Sequence, residues 1–420
     1  MRSSVETNWA GNVTFTCSVL RPRTVDDVMR AVRRHDDIGA VGSRHSFSSI
    51  ANRSGALIDF RDMPKKIELV GSTLVRVAAG VTFGELAVWL ERRGLALQNL
   101  GSLPGISVVG AYSTGTHGSG SRNPVLADSV VEIDFVDGVG DLRTVRASDP
   151  EFAALAVGAG AFGIILSVTI RTEPTYRVTQ RHESAPSWNA TAGEVDHLFD
   201  SGYSVSIFTR WEDPLIGDAL VKRRDDVDQA PWSGLTATEA GPDRFHLGGI
   251  VLDNLTPQDG TSGPWFTRLP HFTIGARPSF GSELQSEYLV PRPLGLEALL
   301  ALRARRADFL SCLLLSELRT VAADDALLSP AQMRDSLAIH FTWVNDVARV
   351  ARAVDAVENI LRPFAPRPHW GKLHAFSREQ VLASFPRAAE ARSVFDELDP
   401  RGAFASSALV DLGLRSPPER

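Results

Sequence analysis

Two short segments, each built round one histidine, constrain this chain more than any other feature: Val41-Gly42-Ser43-Arg44-His45-Ser46-Phe47 and Ser113-Thr114-Gly115-Thr116-His117-Gly118-Ser119-Gly120. Glycine lets a backbone turn with positive φ and approach a ligand closely, and successive peptide N–H groups in such turns form concave nests that hold anionic oxygens. A diphosphate is the natural guest. The chain has no G-x-x-x-x-G-K-[ST] phosphate loop, and no G-x-G-x-x-G that follows a strand and opens a helix. A flavin dinucleotide gripped by two separate loops therefore fits better than the usual nucleotide arrangements.

With 420 residues, 43% of them hydrophobic, the chain can form two or three domains with buried cores and needs no disulfide staples. Its 50 acidic and 44 basic residues give a net charge of −6, and the arginines are scattered rather than striped, which argues against nucleic acid as a partner. Cys17 and Cys312 lie far apart without C-x-x-C spacing. Neither a disulfide framework nor a zinc site is supported, and free thiols are expected. Residues 1–10 lack the basic-then-apolar pattern of a secretory signal, and no apolar run reaches the roughly 18 residues of a membrane span. The expectation is a cytoplasmic protein with no role at a membrane.

Periodicity gives an α+β pattern with many strands and few helices. Thr24 and Asp27 cap a predicted helix that ends near Asp36, and a strand over 38–41 delivers the first loop. Strands are predicted at 56–60, 66–70 and 74–79, then a helix opened by Thr82 and Glu85 and ended by Gly94. After the second loop come strands at 129–137 and 142–147, a helix at 149–157 and a strand at 164–171. Thr172-Glu173-Pro174 closes the unit, so residues 1–174 form one predicted domain. Beyond it lie strands at 203–211, 218–224, 283–289, 311–321 and 337–344, and helices at 294–306 and 346–361. The Pro-, Gly- and Asp-rich stretch 225–264 is long enough to be functional or mobile rather than structural.

Residues i and i+2 of a strand share a face. Glu317 and Arg319 form one such pair, His340 and Thr342 a second, Gln285 and Glu287 a third, while Leu318, Phe341 and Trp343 point the other way. An ordinary half-buried sheet also alternates, with its outer face merely solvated. Thr, His, Glu and Arg together, however, supply the donors, acceptors and titratable base that grip a polyhydroxylated ligand. Pro368-His369-Trp370-Gly371-Lys372 adds a cation and a histidine in one tight segment.

Gly94-Leu95-Ala96-Leu97, Ser102-Leu103-Pro104, Ile106-Ser107-Val108 and the Thr114–Gly120 loop resemble the FAD-linked oxidases of the vanillyl-alcohol oxidase superfamily, and within it the branch that acts on alditols. Asn8-Trp9-Ala10-Gly11-Asn12, the 283–288 and 319–324 segments, His340-Phe341-Thr342-Trp343 and His369-Trp370-Gly371-Lys372 extend the likeness nearly end to end. The resemblance implies an FAD-binding domain over 1–174, a substrate domain with a large antiparallel sheet over 175–365, and a C-terminal segment, 366–420, that returns to the first. It implies that His45 is bonded covalently to the flavin, with His117 packed noncovalently beside it. Val41, Gly42, Ser43, Arg44, His45, Ser46, Phe47, Ser102, Ser107, Gly110, Thr114, Gly115, Thr116, His117, Ile165 and His369 would then contact FAD. Ser102, Glu317, Arg319, Thr342 and Lys372 would line the substrate side, with His340 close by. Arg44 stands where the family commonly has glycine, and either contacts the cofactor or projects into solvent. Gly402-Ala403-Phe404-Ala405-Ser406 lacks the family's Lys and Asn, which puts cofactor contacts from the tail in doubt.

The implied reaction oxidises the terminal primary hydroxyl of a polyol such as xylitol or sorbitol to the aldose, by hydride transfer to covalent FAD, with O2 reduced to H2O2. Lys372 and Arg319 would stabilise developing negative charge, Glu317 and Thr342 would hold neighbouring hydroxyls, and His340 would be the proton acceptor or a polar relay beside it. Gly101 would leave a passage for oxygen. A small polyol and O2 are the expected partners of a monomer, and no metal is expected. The alternative is an aldonolactone oxidase or dehydrogenase of the same superfamily. A flavin- or polyol-binding protein without chemistry is disfavoured by Glu317, Arg319, His340 and Lys372 together.

Overall fold

The computed structural model describes residues 6–227, 246–276 and 282–418. It has the α+β character expected, built on three main sheets. Ala56–Asp59 lies at the centre of a small parallel sheet between Ser18–Leu20 and Ile38–Val41. Val25–Arg34, closed by the reciprocal Thr24/Asp27 capping box, connects two of its strands. A five-stranded antiparallel sheet follows, in the order Leu142–Arg146, Val130–Val136, Ile164–Arg171, Leu74–Ala78, Ile67–Leu69.

The third sheet has eight antiparallel strands: Gly263–Pro264, Arg177–Ser184, Asp218–Arg224, Ser204–Thr209, Leu313–Val321, Ser336–Val344, Glu283–Pro291 and Arg367–Pro368. One face carries the apolar half of the alternation. There Phe341 and Trp343 stack with centroids 5.1 Å apart, and Trp211, Phe309 and Tyr288 pack round them, all fully buried. Gly295–Ala304 and Val347–Leu361 pack on the sheet and on each other. The opposite face is left to the polar pairs.

The predicted helix over 149–157 shrinks to Phe152–Leu155 because the Asp149 carboxylate closes a turn onto the Arg146 N–H instead of capping a helix. Of the 225–264 stretch, residues 228–245 lie outside the described residues. The remainder forms a hairpin, His246–Leu247 with Ile250–Val251, and an edge strand of the large sheet. The C-terminal segment lies against the first 174 residues: Ile38 N donates to Ala403 O at 2.9 Å, and Gly138 N to Leu398 O at 2.9 Å. Cys17 and Cys312 are free thiols. Among the described residues no helix is long and apolar enough to cross a membrane.

Candidate active site

One large cavity takes its walls from both parts of the chain. Val41 to Phe47, Ser107, Gly110, Thr114, Thr116, His117 and Ile165 form one side. Gln285, Glu287, Glu317, Arg319, His340, Thr342, His369 and Lys372 form the other, and Gly101 and Ser102 also reach it. Every residue expected at the cofactor or substrate lies on this wall except Gly115. That residue has φ +69°, and a Cβ there would sit 2.8 Å from Pro330 Cδ. It shapes the turn that presents Thr114 and Thr116 and does not line the cavity.

The two glycine-rich regions are stitched together. Ser43 N donates to Ser107 Oγ at 3.3 Å, and Ser107 N donates to Ser43 Oγ at 3.1 Å. Close approach is what demands glycine here: a Cβ on Gly42 would stand 2.0 Å from Ser107 Oγ, and one on Gly110 2.6 Å from the same atom. Arg44 takes φ +62°, a left-handed conformation that glycine adopts more easily. Its guanidinium bonds Asp59 Oδ2 at 2.6 Å and pairs with Glu6, so it neither projects freely into solvent nor is left as an unpaired cation.

His45 is held from two sides. Trp9 stacks on its ring at 5.2 Å and 10°, while Asn8 and Asn12 donate to the carbonyls of Ser46 and Phe47. On the other side Phe47 N donates to Gly371 O at 2.7 Å, and Ser48 Oγ to Trp370 O at 2.6 Å, which ties this loop to the Lys372 turn. His45 Nε2 is buried without a hydrogen-bond partner among the described residues. Burial, and then the Lys372 charge, lower its pKa to about 4, so the ring is neutral. His117 bonds Gly118 O through Nδ1, leaving Nε2 3.4 Å from Glu287 Oε1. Gly371 N donates to His369 Nδ1, so that ring carries its proton on Nε2. Burial above all keeps it neutral.

Strand register builds the opposite wall. Glu317 is paired with His340, and His340 with Glu287, so three titratable residues stand in one row across three strands. The next row reads Leu315, Thr342, Gln285. Lys372 reaches these rows from the turn after Arg367–Pro368, whose backbone is pinned to the sheet by His369 N to Glu287 O and Leu373 N to Gln285 O. Its Nζ lies 2.5 Å from Gln285 Oε1, 3.2 Å from His340 Nδ1 and 3.6 Å from Glu287 Oε2. His340 Nε2 lies 3.2 Å from Thr342 Oγ1. Arg319 bonds Glu287 and stands 3.7 Å from Glu317 Oε1.

Alternating charge lets this buried cluster ionise. Burial opposes the Glu287 carboxylate, but Arg319, His117 and Lys372 outweigh it and hold its pKa well below the usual range. For Glu317 burial is likewise outweighed, by Arg319 and His271. Burial lowers Lys372 to about 8, with Glu287 opposing and Arg319 assisting. Burial and then Lys372 lower His340 to about 4. Three polar members of the wall carried no role in the sequence reading, Gln285 among them. Glu287 belonged to a recognised pair but was given no part, and His271, 2.8 Å from Glu317 through Nε2, arrives from a loop with no pattern to announce it.

Comparison with known proteins agrees with this geometry. The FAD binding domain family matches residues 18–146, which contain both glycine-rich loops, so the chain is an FAD protein. The D-arabinono-1,4-lactone oxidase family matches residues 278–412, which contain the three polar strands and Lys372. An alditol oxidase from a Streptomyces strain is 38% identical over 417 residues, spanning 98% of this chain and 99% of its own. L-gulono-1,4-lactone dehydrogenase of Mycobacterium tuberculosis is 29% identical over 431 residues, spanning 96% of this chain and 97% of its own. Among solved structures, a solvent-stable cholesterol oxidase shares the fold, with a TM-score of 0.77 over 97% of both chains at 16% identity.

Proposed function

Because the chain belongs to the alditol oxidase family of FAD-linked oxidoreductases, we propose that it oxidises the terminal primary hydroxyl of a polyol such as xylitol or sorbitol to the aldose, with O2 as the final acceptor and H2O2 as co-product. The observation that carries the reading is the buried polar row of Glu317, His340 and Glu287, with Lys372 beside it, in the same cavity as His45. Such a row offers a polyol several hydrogen-bond partners and one ionisable amine.

FAD fits the residues present. The Gly42–Ser107–Gly110 contact leaves backbone where any side chain would intrude, and His45 offers a neutral, buried ring nitrogen with no competing bond. We assign His45 as the covalent attachment point on that basis. Bound FAD supplies the hydride acceptor. Thr342 Oγ1, Ser102 and the Glu317 carboxylate hold substrate hydroxyls and fix which carbon faces the cofactor side. Lys372, with its pKa lowered to about 8, takes the hydroxyl proton in its neutral form, held in place by Gln285 and Glu287. His340 serves as the relay: Lys372 donates to its Nδ1 and its Nε2–H is directed to Thr342, so both ring nitrogens are committed. Arg319 remains cationic and favours negative charge developing on the substrate oxygen. A monomer acting in the cytoplasm on polyol and O2 completes the proposal.

Anaerobic mixing with xylitol tests it. The yellow protein should bleach, and in air xylitol or sorbitol should yield H2O2, whereas galactono- and gulonolactone should react poorly. Lys372→Met should slow flavin reduction at least ~10²-fold, the effect of losing a positioned base. Near-normal reduction by that variant refutes the role of Lys372, and preferential turnover of lactones refutes the substrate class. After acid precipitation the flavin should stay with the protein and map to the His45 peptide.

A further inference from the structure

Behind Glu317, on the side away from His340, lies a second buried pair that the reaction above does not use. Lys222, on the Asp218–Arg224 strand, is 1% exposed. Its Nζ bonds Leu269 O and lies 3.3 Å from His271 Nδ1. His271 Nε2 lies 2.8 Å from Glu317 Oε1. We infer that Lys222 and His271 are positioning residues that fix Glu317 as an oriented, ionised acceptor for a substrate hydroxyl; the inference rests on the polyol reading.

The argument is one of donors and acceptors. Glu317 is held ionised and can only accept, so the ring nitrogen 2.8 Å from it carries the ring proton, and His271 Nδ1 is left as an acceptor for Lys222 Nζ. That proton points at Glu317. The opposite tautomer would set a lone pair against a carboxylate oxygen at 2.8 Å. The ring cannot easily turn away, because Phe208 packs edge-on against it at 5.4 Å and is itself the cross-strand neighbour of Glu317. The His271 and Arg319 contacts both fall on Oε1, and among the described residues no hydrogen bond falls on Oε2. Oε2 is therefore the oxygen available to substrate. The charged and titratable groups facing Glu317 are Arg319 on its own strand, His340 on the next, His271 from the loop with Lys222 behind it, and Lys372 with Glu287 across the site. Burial, and then Lys222, keep His271 neutral, so its contribution is a directed N–H rather than a charge.

The test uses the FAD-loaded enzyme. Wild type must first show flavin bleaching by xylitol; if it does not, the polyol reading fails and the positioning pair is judged by tautomer alone. Nitrogen-15 NMR of wild-type His271 should show the Nε2–H form, and an Nδ1–H form there overturns the inference. In rapid mixing, His271→Leu should raise the xylitol Kd at least about tenfold, the scale of losing a hydrogen bond to a charged group. It should also move the acid-side loss of xylitol binding, read as Kd against pH, to higher pH, because Glu317 becomes harder to ionise. His271→Gln, whose amide can still donate, should recover most of both, and Lys222→Met, which removes the partner on the far side of the ring, should give an intermediate Kd. Variants that lose thermal stability but keep wild-type Kd and pH profile show a merely structural pair and overturn the inference.

Discussion

Replacing Glu287 with glutamine tests whether the charged row sets the ionisation of Lys372. Glu287 is 1% exposed; it bonds Arg319, and its Oε2 lies 3.6 Å from Lys372 Nζ. Two unit charges at that separation attract by about 4–5 kcal/mol at an effective dielectric constant of about 20. Glutamine preserves the volume and removes the charge. A quarter of that attraction, left after relaxation of the pocket, is roughly one pKa unit, which takes Lys372 from about 8 toward 7. Because the proposed base is the neutral amine, the acid limb of kcat/KM should move down by about one pH unit. Stability should change as well. A carboxyl whose folded pKa is depressed stabilises the fold above its unfolded value, here near 4.5, and loses that contribution as pH falls through the folded value. Glu287→Gln should therefore cost about 3 kcal/mol at pH 7, the scale of stripping one partner from a buried ion pair, and progressively less in acid below the unfolded value. Stopped-flow flavin reduction from pH 5 to 10 and urea unfolding at pH 7 and pH 3 measure the two effects. An acid limb that stays in place or moves upward refutes Lys372 as the titrating base.

The remaining expectations concern packing, oxygen and a buried acid. Gly42→Ala sets a Cβ 2.0 Å from Ser107 Oγ and should cost roughly 1–3 kcal/mol together with flavin content, read from the visible-to-ultraviolet absorbance ratio; adding Ser107→Gly should restore part of both. Gly101→Ala would make only ordinary contacts, 3.6 Å to Thr116 Cγ2 and 3.7 Å to His117 O, so bleaching by xylitol should persist while reoxidation by O2 slows; unchanged reoxidation removes Gly101 from the oxygen path. Glu358, whose Oε1 accepts from both Tyr288 OH and Ala375 N, has its pKa raised by burial from 4.5 to about 7. A carboxyl raised in this way stabilises the fold at low pH and loses that contribution as pH rises from 4.5 through about 7, so Glu358→Gln, which keeps both acceptor contacts, should stabilise by roughly 1–3 kcal/mol at pH 8 and by little at pH 4.

Local signals in the sequence were enough for most of the framework. Thr24/Asp27 and Thr82/Glu85 are reciprocal capping boxes in the structure, and their helices start where those pairs place them. Thr191 and Glu194 carry the same signal for Ala192–Asp200, a helix that hydrophobic periodicity did not single out. The strand Arg177–Ser184 escaped notice for a different reason. Its inward residues include Gln180 and His182, both buried and bonded to Thr256, Pro257 and Gln258, so a strand inside the large sheet reads as polar surface. Alternation finds strands that bury hydrocarbon; it is blind to one that buries a satisfied polar network.

The site shows the same limit one level up. Alternation tells which residues share a face, and Glu317 with Arg319, His340 with Thr342 and Gln285 with Glu287 do share the cavity face. A slip of two residues between neighbouring strands would keep that face unchanged while giving every residue a new neighbour. The row Glu317, His340, Glu287 is therefore a product of non-local register, and no local pattern could show that Glu287 stands between Arg319 and Lys372. That neighbour decides the chemistry. Arg319 buried alone would be prohibitive, and Lys372 buried beside Arg319 alone would lose its proton well before neutrality; the carboxylates at 287 and 317 hold both cations in the interior. The groups proposed as base, oxyanion-stabilising cation and hydroxyl acceptor thus depend on one another for their ionisation, and a charge removed anywhere along the row should be read out at the Lys372 amine.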